Sequence, residues 1–151
     1  MVNNKEIIEV CDIFLMNGEN KFLMQLRDNK ESIYGSNKWG VLGGGKNKNE
    51  TSEECILREI KEELEIELKK PRLVDIVEDQ NKNKLFRHYI FLDFIDKKAS
   101  EFKLNEGERL EFYGPEDLKL LNKVEWFNDV YLNILKKICR LEKQRPKIFL
   151  R

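Results

Sequence analysis

Three glutamates fall on one face of a predicted helix. Glu59, Glu62 and Glu63 are spaced i, i+3 and i+4, so at about 100° per residue their carboxylates share one side of the helix. Like charges at this spacing disfavour an exposed helix by about 0.2–0.5 kcal/mol per pair. Mg²⁺ or Mn²⁺ would relieve that repulsion, because both ions prefer hard oxygen ligands. The alternative is a solvated acidic surface helix, which the three carboxylates alone do not exclude.

A run of three glycines, Gly43 to Gly45, stands shortly before this predicted helix. Because glycine has no side chain, a backbone carbonyl of the run can approach a cation and its N–H groups can approach a phosphate. Thr51 and Glu54 have the spacing of a capping box, in which each side chain bonds the free backbone N–H of the other residue. We therefore expect a helix from Thr51 to about Glu65, placed directly after a glycine-rich segment.

The joint spacing of the glycines, the arginine and the carboxylates resembles the Nudix box, G-x5-E-x7-R-E-U-x-E-E-x-G-U, in which U is a bulky apolar residue. The matching residues are Gly44, Glu50, Arg58, Glu59, Ile60, Glu62, Glu63 and Ile66. By this resemblance the chain is identified as a Nudix hydrolase of the MutT-like branch. The resemblance implies the family's α/β fold, an α/β/α sandwich with a mixed central sheet.

One position departs from the box, because Glu65 stands where the family has a glycine. A glycine there usually ends the helix in the left-handed conformation, which glutamate disfavours. We therefore expect the helix to run on slightly or to end by another route. The implied metal ligands lie upstream of this position and should be unaffected.

The resemblance also implies a metal-dependent enzyme. Glu59, Glu62, Glu63 and the carbonyl of Gly43 would hold Mg²⁺ (or Mn²⁺), and Arg58 would orient the carboxylates by charge-assisted hydrogen bonds. The cation would screen phosphate charge and lower the pKa of a bound water, whose proton a carboxylate would remove. Arg58, Glu59 and Glu62 are therefore candidate catalytic residues.

A further candidate acid lies outside the box. Glu106 and Gly107 precede the last predicted strand and resemble the Glu-Gly pair of MutT-type members. Glu106 is a candidate general base or extra metal ligand, and the alternative is a solvated loop acid.

Four residues are candidates for binding the substrate. Gly44 and Lys46 lie in and beside the glycine run, where phosphate groups would be held. Arg27 ends the second predicted strand and could also face phosphates, although a surface ion pair with Asp28 explains it equally well. Asn122 resembles, in a loose alignment, the base-reading asparagine of MutT-type members.

Other polar and aromatic residues have simpler interpretations. His88 stands alone in an apolar strand, which is more typical of a satisfied core or surface histidine than of a ligand. Several aromatic residues could stack on a base, but core packing is favoured for most of them. These residues are Trp39, Phe112, Tyr113 and Trp126.

Hydrophobic alternation and turn signals indicate the elements that must position these residues. Strands are predicted at 6–16, 21–27, 38–42, 73–79, 85–95 and 110–113. The Asn17-Gly18 turn predicts a hairpin between the first two strands. Helices are predicted at 51–65, 115–121 and 128–142, the last with an apolar face.

The sequence of 151 residues is expected to form one domain, with residues 143–151 as a loose basic tail. Its 28 basic and 28 acidic residues give zero formal net charge, which argues against a nucleic-acid or membrane-surface binder. No apolar run approaches the roughly 20 residues of a membrane helix. Three dispersed cysteines indicate reduced thiols in a cytoplasmic protein. A monomer or a homodimer is expected.

The resemblance implies a pyrophosphohydrolase whose partner is a small-molecule nucleotide. The expected substrate is a nucleoside triphosphate, either ordinary or oxidised, which would yield a monophosphate and pyrophosphate. A nucleotide sugar or a dinucleoside polyphosphate is an alternative within the same chemistry. A regulatory Nudix module without activity would usually have lost box carboxylates, and all three are retained here. An RNA-end processing enzyme would prefer a basic groove, which the neutral charge disfavours.

Overall fold

Seven strands form one mixed sheet in the computed structural model, which describes residues 6–81 and 83–144. The strands are β1 (Glu6–Met16), β2 (Phe22–Leu26), β3 (Trp39–Gly40), β4 (Leu42–Gly45), β5 (Arg72–Asn81), β6 (Lys84–Phe94) and β7 (Arg109–Tyr113). The helices are α1 (Ser52–Leu64), α2 (Pro115–Leu118) and α3 (Glu125–Gln144), with a short 3-10 turn at Ala99–Glu101. The predicted α/β class with a mixed sheet is confirmed.

The centre of the sheet is a parallel pair. β1 and β6 run side by side from Glu6 opposite Lys84 to Met16 opposite Phe94. β5 pairs antiparallel with β6, and β4 pairs antiparallel with β1. The predicted hairpin of β1 and β2 is limited to one pair, Met16 opposite Phe22. β4 occupies that edge of β1, and β2 pairs with β3 and β7 instead.

Two hydrophobic cores lie on opposite faces of this sheet, because successive side chains of a strand point to opposite faces. Phe14 and Met16 of β1 belong to the core that α3 covers through residues such as Phe127 and Ile134. The alternate positions of β1 belong to the core that α1 covers, formed by Cys11, Ile13, Leu15, Leu42, Cys55, Ile56 and Ile60 among others. A helix on each face makes the chain the α/β/α sandwich expected from the sequence.

The glycine run is a strand in this fold. The predicted strand at 38–42 is divided into β3 and β4, and β4 continues through all three glycines beside β1. At Gly43, whose φ is 149°, an added Cβ would collide with the backbone of Cys11. A glycine is therefore required for β4 to lie this close to β1.

Helix α1 begins as predicted and ends differently. The Thr51 side chain accepts a hydrogen bond from the Glu54 backbone, and the Glu54 side chain accepts one from the Thr51 backbone. The expectation that Glu65 would avoid the left-handed conformation was wrong, since its φ is 56°. Contacts offset the local preference: the Glu65 carboxylate pairs with Lys103 at 3.0 Å and accepts from Asn105 at 3.2 Å.

The C-terminal helix is longer than predicted. α3 continues through Lys143 and Gln144, whereas the sequence predicts a loose tail from residue 143. The remainder of the predicted tail, 145–151, lies outside the described residues. Within the described ranges, no helix has the length and apolar character needed to cross a membrane.

Candidate functional site

A cavity of about 450 Å³ opens beside the glycine strand β4. Part of its wall is acidic and contains Glu59, Glu63 and Glu106. The rest includes aromatic rings and buried polar groups, among them Asp12, Gln25, Tyr34, Phe86, His88 and Trp126. The cavity therefore combines a site for positive charge with surfaces suited to a flat ring.

Glu59 is positioned by close contact with the glycine strand. Its carboxylate lies so close to Gly44 that it would clash with the Cβ of any other residue at that position. Arg58 donates to Glu59 Oε1 at 3.0 Å. Burial raises the pKa of Glu59, and the hydrogen bond from Arg58 opposes that rise. Glu59 is thus a carboxylate held in a fixed place at the cavity wall.

Arg58 ties the helix to the segment that precedes it. Its guanidinium donates to both carboxylate oxygens of Glu50, at 2.6 and 3.0 Å, and to the carbonyl of Gly45 at 3.0 Å. The bonds from Arg58 to Glu50, together with one from the Asn47 backbone N–H, lower the pKa of Glu50 to about 2. A planar guanidinium is suited to such a forked arrangement, because several donors lie in fixed directions.

Glu63 is a buried carboxylate whose two oxygens are not both hydrogen-bonded within the described residues. Only 4% of the residue is exposed, and its Oε2 has no hydrogen-bond partner among the described residues. Burial raises its pKa to about 8, helped by repulsion from Glu106, Glu59 and Asp12. A buried polar atom without a partner is costly, so this oxygen is suited to a cation in the cavity.

The predicted glutamate triad is divided by the fold. Glu59 and Glu63 line the cavity, whereas the Glu62 side chain is 60% exposed and faces Arg58 at 3.4 Å. Accordingly, no three acidic, cysteine or histidine side chains of the described ranges already converge as a metal centre. The all-oxygen donor set and the unpartnered Glu63 oxygen nevertheless fit a hard divalent cation.

Glu106 reaches the acidic wall because its loop is attached at two points. On one side, Asn105 donates its side-chain amide to the Glu62 carbonyl at 2.9 Å and its backbone N–H to the Glu63 carbonyl at 3.1 Å. On the other side, the buried Gln25 donates to the Glu106 carbonyl at 2.8 Å. Both contacts bring a loop carboxylate next to the helical ones.

The predicted substrate-binding residues separate into two groups. Gly44 and Arg27 line the cavity, and Arg27 donates through Nε to the Tyr34 carbonyl at 2.8 Å. Lys46 and Asn122 do not line it. The Lys46 ammonium instead lies 3.4 Å from Glu9 Oε1.

Asn122 lies in another part of the surface. It is exposed, its carbonyl accepts from the Trp39 backbone at 2.9 Å, and it borders a separate depression near the start of α3. The proposed role of Asn122 in reading the base therefore gains no support from its position, and it stays a prediction.

A buried polar group in the cavity was not found by sequence reasoning. Asp12 Oδ2 lies 2.7 Å from His88 Nδ1, and the His88 ring stacks on Trp126 with centroids 3.9 Å apart. The interpretation of His88 as a satisfied histidine agrees with this contact. The available signal was one acid within an apolar strand, since Asp12 stands between Cys11 and Ile13.

Comparisons with known proteins agree with this architecture. A model of the NUDIX domain family matches residues 8–133. No curated protein sequence is significantly similar to the chain. A MutT protein from Methanosarcina mazei Go1 has a similar structure, with 22% identity and a TM-score of 0.77. That match covers 89% of this chain and 96% of the other.

Two further solved structures are similar. The E. coli ORF135 protein is 19% identical, with a TM-score of 0.72 and coverage of 97% of this chain and 98% of that one. The NUDIX domain of Shewanella oneidensis NrtR, complexed with ADP ribose, is 14% identical, with a TM-score of 0.69. Here 90% of this chain and 88% of that chain are covered. At these identities the three structures establish a shared fold.

Proposed function

Since the chain belongs to the NUDIX domain family, we propose that it hydrolyses the pyrophosphate linkage of a nucleoside triphosphate with the help of Mg²⁺ or Mn²⁺. The predicted enzyme class, a hydrolase of pyrophosphate bonds, agrees with that family. The nucleotide substrate and the metal dependence are our proposals, as is the role of each residue.

The observation that supports this proposal is the shared cavity. Glu59, Glu63 and Glu106 form one part of its wall, while His88 and Trp126 belong to the same cavity. A nucleotide has the same two parts, a charged phosphate chain that needs a cation and a flat ring that packs on aromatic groups. One molecule could therefore occupy both.

Glu59 and Glu63 would hold the cation, with Glu62 joining them if it leaves Arg58. A bound divalent ion would supply charge neutralisation for the phosphates and a more acidic bound water. Arg58 would keep Glu59 oriented, as its 3.0 Å hydrogen bond already does. Glycines 43 and 44 would admit the phosphates, because no side chain projects from β4 there.

Glu106 is the proposed general base or a further ligand. It lies on a loop fixed by Gln25 and Asn105, and it is an exposed residue of the cavity wall. Arg27, which lines the same cavity, would pair with a phosphate oxygen. The products would be a nucleoside monophosphate and pyrophosphate.

Product analysis tests the proposal directly. Nucleoside triphosphates are incubated with the protein and Mg²⁺, and free phosphate is measured with and without added inorganic pyrophosphatase. Phosphate that appears only with pyrophosphatase is expected, since pyrophosphate is the proposed product. Glu59→Gln and Glu63→Gln should lower the rate by at least about 100-fold, and exposed Glu67→Gln should not. Equal rates in all three variants would contradict the assignment.

A second substrate class has a specific observation in its favour. The structurally similar NrtR domain is described as a complex with ADP ribose, in which a diphosphate joins two sugars. Nucleotide sugars and dinucleoside polyphosphates share that linkage and belong in the same screen. Tight binding of such a compound without turnover would instead indicate a regulatory module.

A further inference from the structure

The Asp12–His88 pair is buried, yet it faces the cavity. Asp12 is 6% exposed and His88 4% exposed, and both contribute to the cavity wall. They lie on the neighbouring parallel strands β1 and β6, where His88 is opposite Val10 and Asp12 is opposite Ile90. Positions two apart on adjacent strands share a face of the sheet, so the contact follows from the register.

This contact determines which nitrogen of His88 carries the proton. Burial raises the pKa of Asp12, and the hydrogen bond with His88 opposes that rise. With Asp12 ionised, the carboxylate can only accept, so Nδ1 donates to Asp12 Oδ2 across 2.7 Å. In a neutral imidazole the other nitrogen, Nε2, is then an acceptor. No residue of the ranges 6–81 and 83–144 is seen to donate to Nε2.

The plane of the imidazole is fixed by a second contact. Trp126 stacks on His88 with an interplanar angle of 15°, and Trp126 is itself only 9% exposed. One bond at Nδ1 and one stacked face leave the ring little freedom to turn. The direction of the Nε2 lone pair is thereby set before any ligand arrives.

We propose that His88, held by Asp12 and Trp126, is a specificity-determining residue that selects nucleobases carrying an amino group. The inference rests on the proposed function and specifies its substrate class. An amino group placed at Nε2 would donate a hydrogen bond to it. A keto oxygen is itself an acceptor, so it could form no hydrogen bond with Nε2 and would repel it. A site built for one hydrogen-bond pattern rejects the ligand that leaves its buried polar group unpaired.

Paired nucleotides test this selection in the unaltered protein. Cytosine and uracil differ in an amino or keto group, and guanine and hypoxanthine differ in the presence of an amino group. We expect kcat/KM for CTP to exceed that for UTP, or kcat/KM for GTP to exceed that for ITP, by about 10-fold or more. Ratios near one in both pairs would overturn the proposal.

Asp12→Asn is the most informative variant, because it reverses the polarity of the pair. The new amide can donate to Nδ1, so the proton moves to Nε2, which becomes a donor. In the cytosine–uracil pair, the preference should then shift from the amino base toward its keto counterpart. His88→Phe keeps a ring against Trp126 without either nitrogen and should bring the ratio close to one. A wild-type ratio retained in both folded variants would contradict the role.

Tyr113→Phe is the matched control, since it also changes one aromatic hydrogen bond. Its hydroxyl donates to Glu111 at 3.0 Å, and Tyr113 is not part of the cavity wall. The base preference should be unchanged in this variant.

A binding measurement separates this inference from the proposed reaction. CMP and UMP are titrated without metal, and quenching of tryptophan fluorescence reports occupation of the ring site beside Trp126. Tighter binding of CMP without hydrolysis of any triphosphate would retain the selection and reject the reaction. Hydrolysis of triphosphates with no base preference in either assay would retain the reaction and reject the selection.

Discussion

The carboxylate of Glu59 lies directly against the α-carbon of Gly44, and no space between them would admit a methyl group. An added Cβ would be 2.6 Å from Glu59 Oε1, so the carboxylate would have to move. A glycine at position 44 is therefore required for the Glu59 side chain to keep its place, whatever the backbone conformation of Gly44.

The first prediction follows from this contact. Gly44→Ala should lower hydrolysis by about 10–100-fold, because displacing Glu59 would weaken metal binding if this carboxylate is a ligand, as we propose. The unfolding free energy should fall by about 1–3 kcal/mol from overpacking. Gly45→Ala is the control, as nothing lies within 4 Å of its added Cβ. Steady-state rates and thermal unfolding measure both effects. Equal rates in Gly44→Ala and Gly45→Ala would argue against a requirement for glycine beside Glu59.

The second prediction concerns the metal-free protein and pH. The pKa of Glu63 is raised from its ordinary 4.5 to about 8, so the folded protein holds this proton more tightly than the unfolded chain. The contribution of Glu63 to the free energy of unfolding should therefore be highest below about pH 4.5. It should decline as pH rises toward 8. By linkage the loss is at most about 5 kcal/mol.

Urea unfolding at several pH values with EDTA present measures this decline. Glu63→Gln should be more stable than the wild type at pH 8 and should show a flatter profile. Mg²⁺ should restore stability to the wild type at pH 8, because it compensates the ionised carboxylate. A wild-type profile that rises over this range, with no difference in the variant, would contradict the assignment of the buried charge.

The third prediction addresses the arginine. Arg58→Lys keeps the positive charge but loses the forked hydrogen bonds to Glu50 and the bond to the Gly45 carbonyl. We expect about a 10–100-fold fall in kcat/KM and a lower Tm. Lys61→Ala removes a cation from the same helix, where its pair with Glu67 is exposed, so its effect should stay below about 1 kcal/mol. Similar activities in the two variants would show that charge alone is sufficient.

The fourth prediction tests how the Glu106 loop is held. Asn105→Ala removes the side-chain bonds to the Glu62 carbonyl and to Glu65, so Glu106 should be less well placed. We expect kcat to fall by about 10-fold or more, with a loss of about 1–2 kcal/mol in stability. Asn133→Ala, on an exposed position of α3, is the control. If kcat is unchanged in Asn105→Ala, Glu106 is not positioned through this loop.

Features coded by neighbouring residues were predictable. The capping box of Thr51 and Glu54 is a local signal, and α1 begins where it indicates. Glu65 shows the limit of such reasoning, because Lys103 and Asn105 stabilise a conformation that glutamate alone would avoid. These two residues are distant in the sequence, so no local pattern includes them.

Features that depend on strand pairing were not predictable. The sequence predicts a strand only as far as residue 42, but pairing with β1 extends β4 through the three glycines. Asp12 and His88 are 76 positions apart, and only the β1–β6 register brings them together. Likewise, the spacing of Glu62 matches Glu59 and Glu63, but its contact with Arg58 places it outside the cavity.

The parallel register of β1 and β6 has a consequence for biosynthesis. Glu6 pairs with Lys84 and Met16 with Phe94, so β1 cannot gain its principal neighbour until β6 has been synthesised. A nascent polypeptide that ends near Asn81 already contains the acidic helix, but Asp12 has no imidazole to bind. The Asp12–His88 contact can therefore form only after β6 has been synthesised.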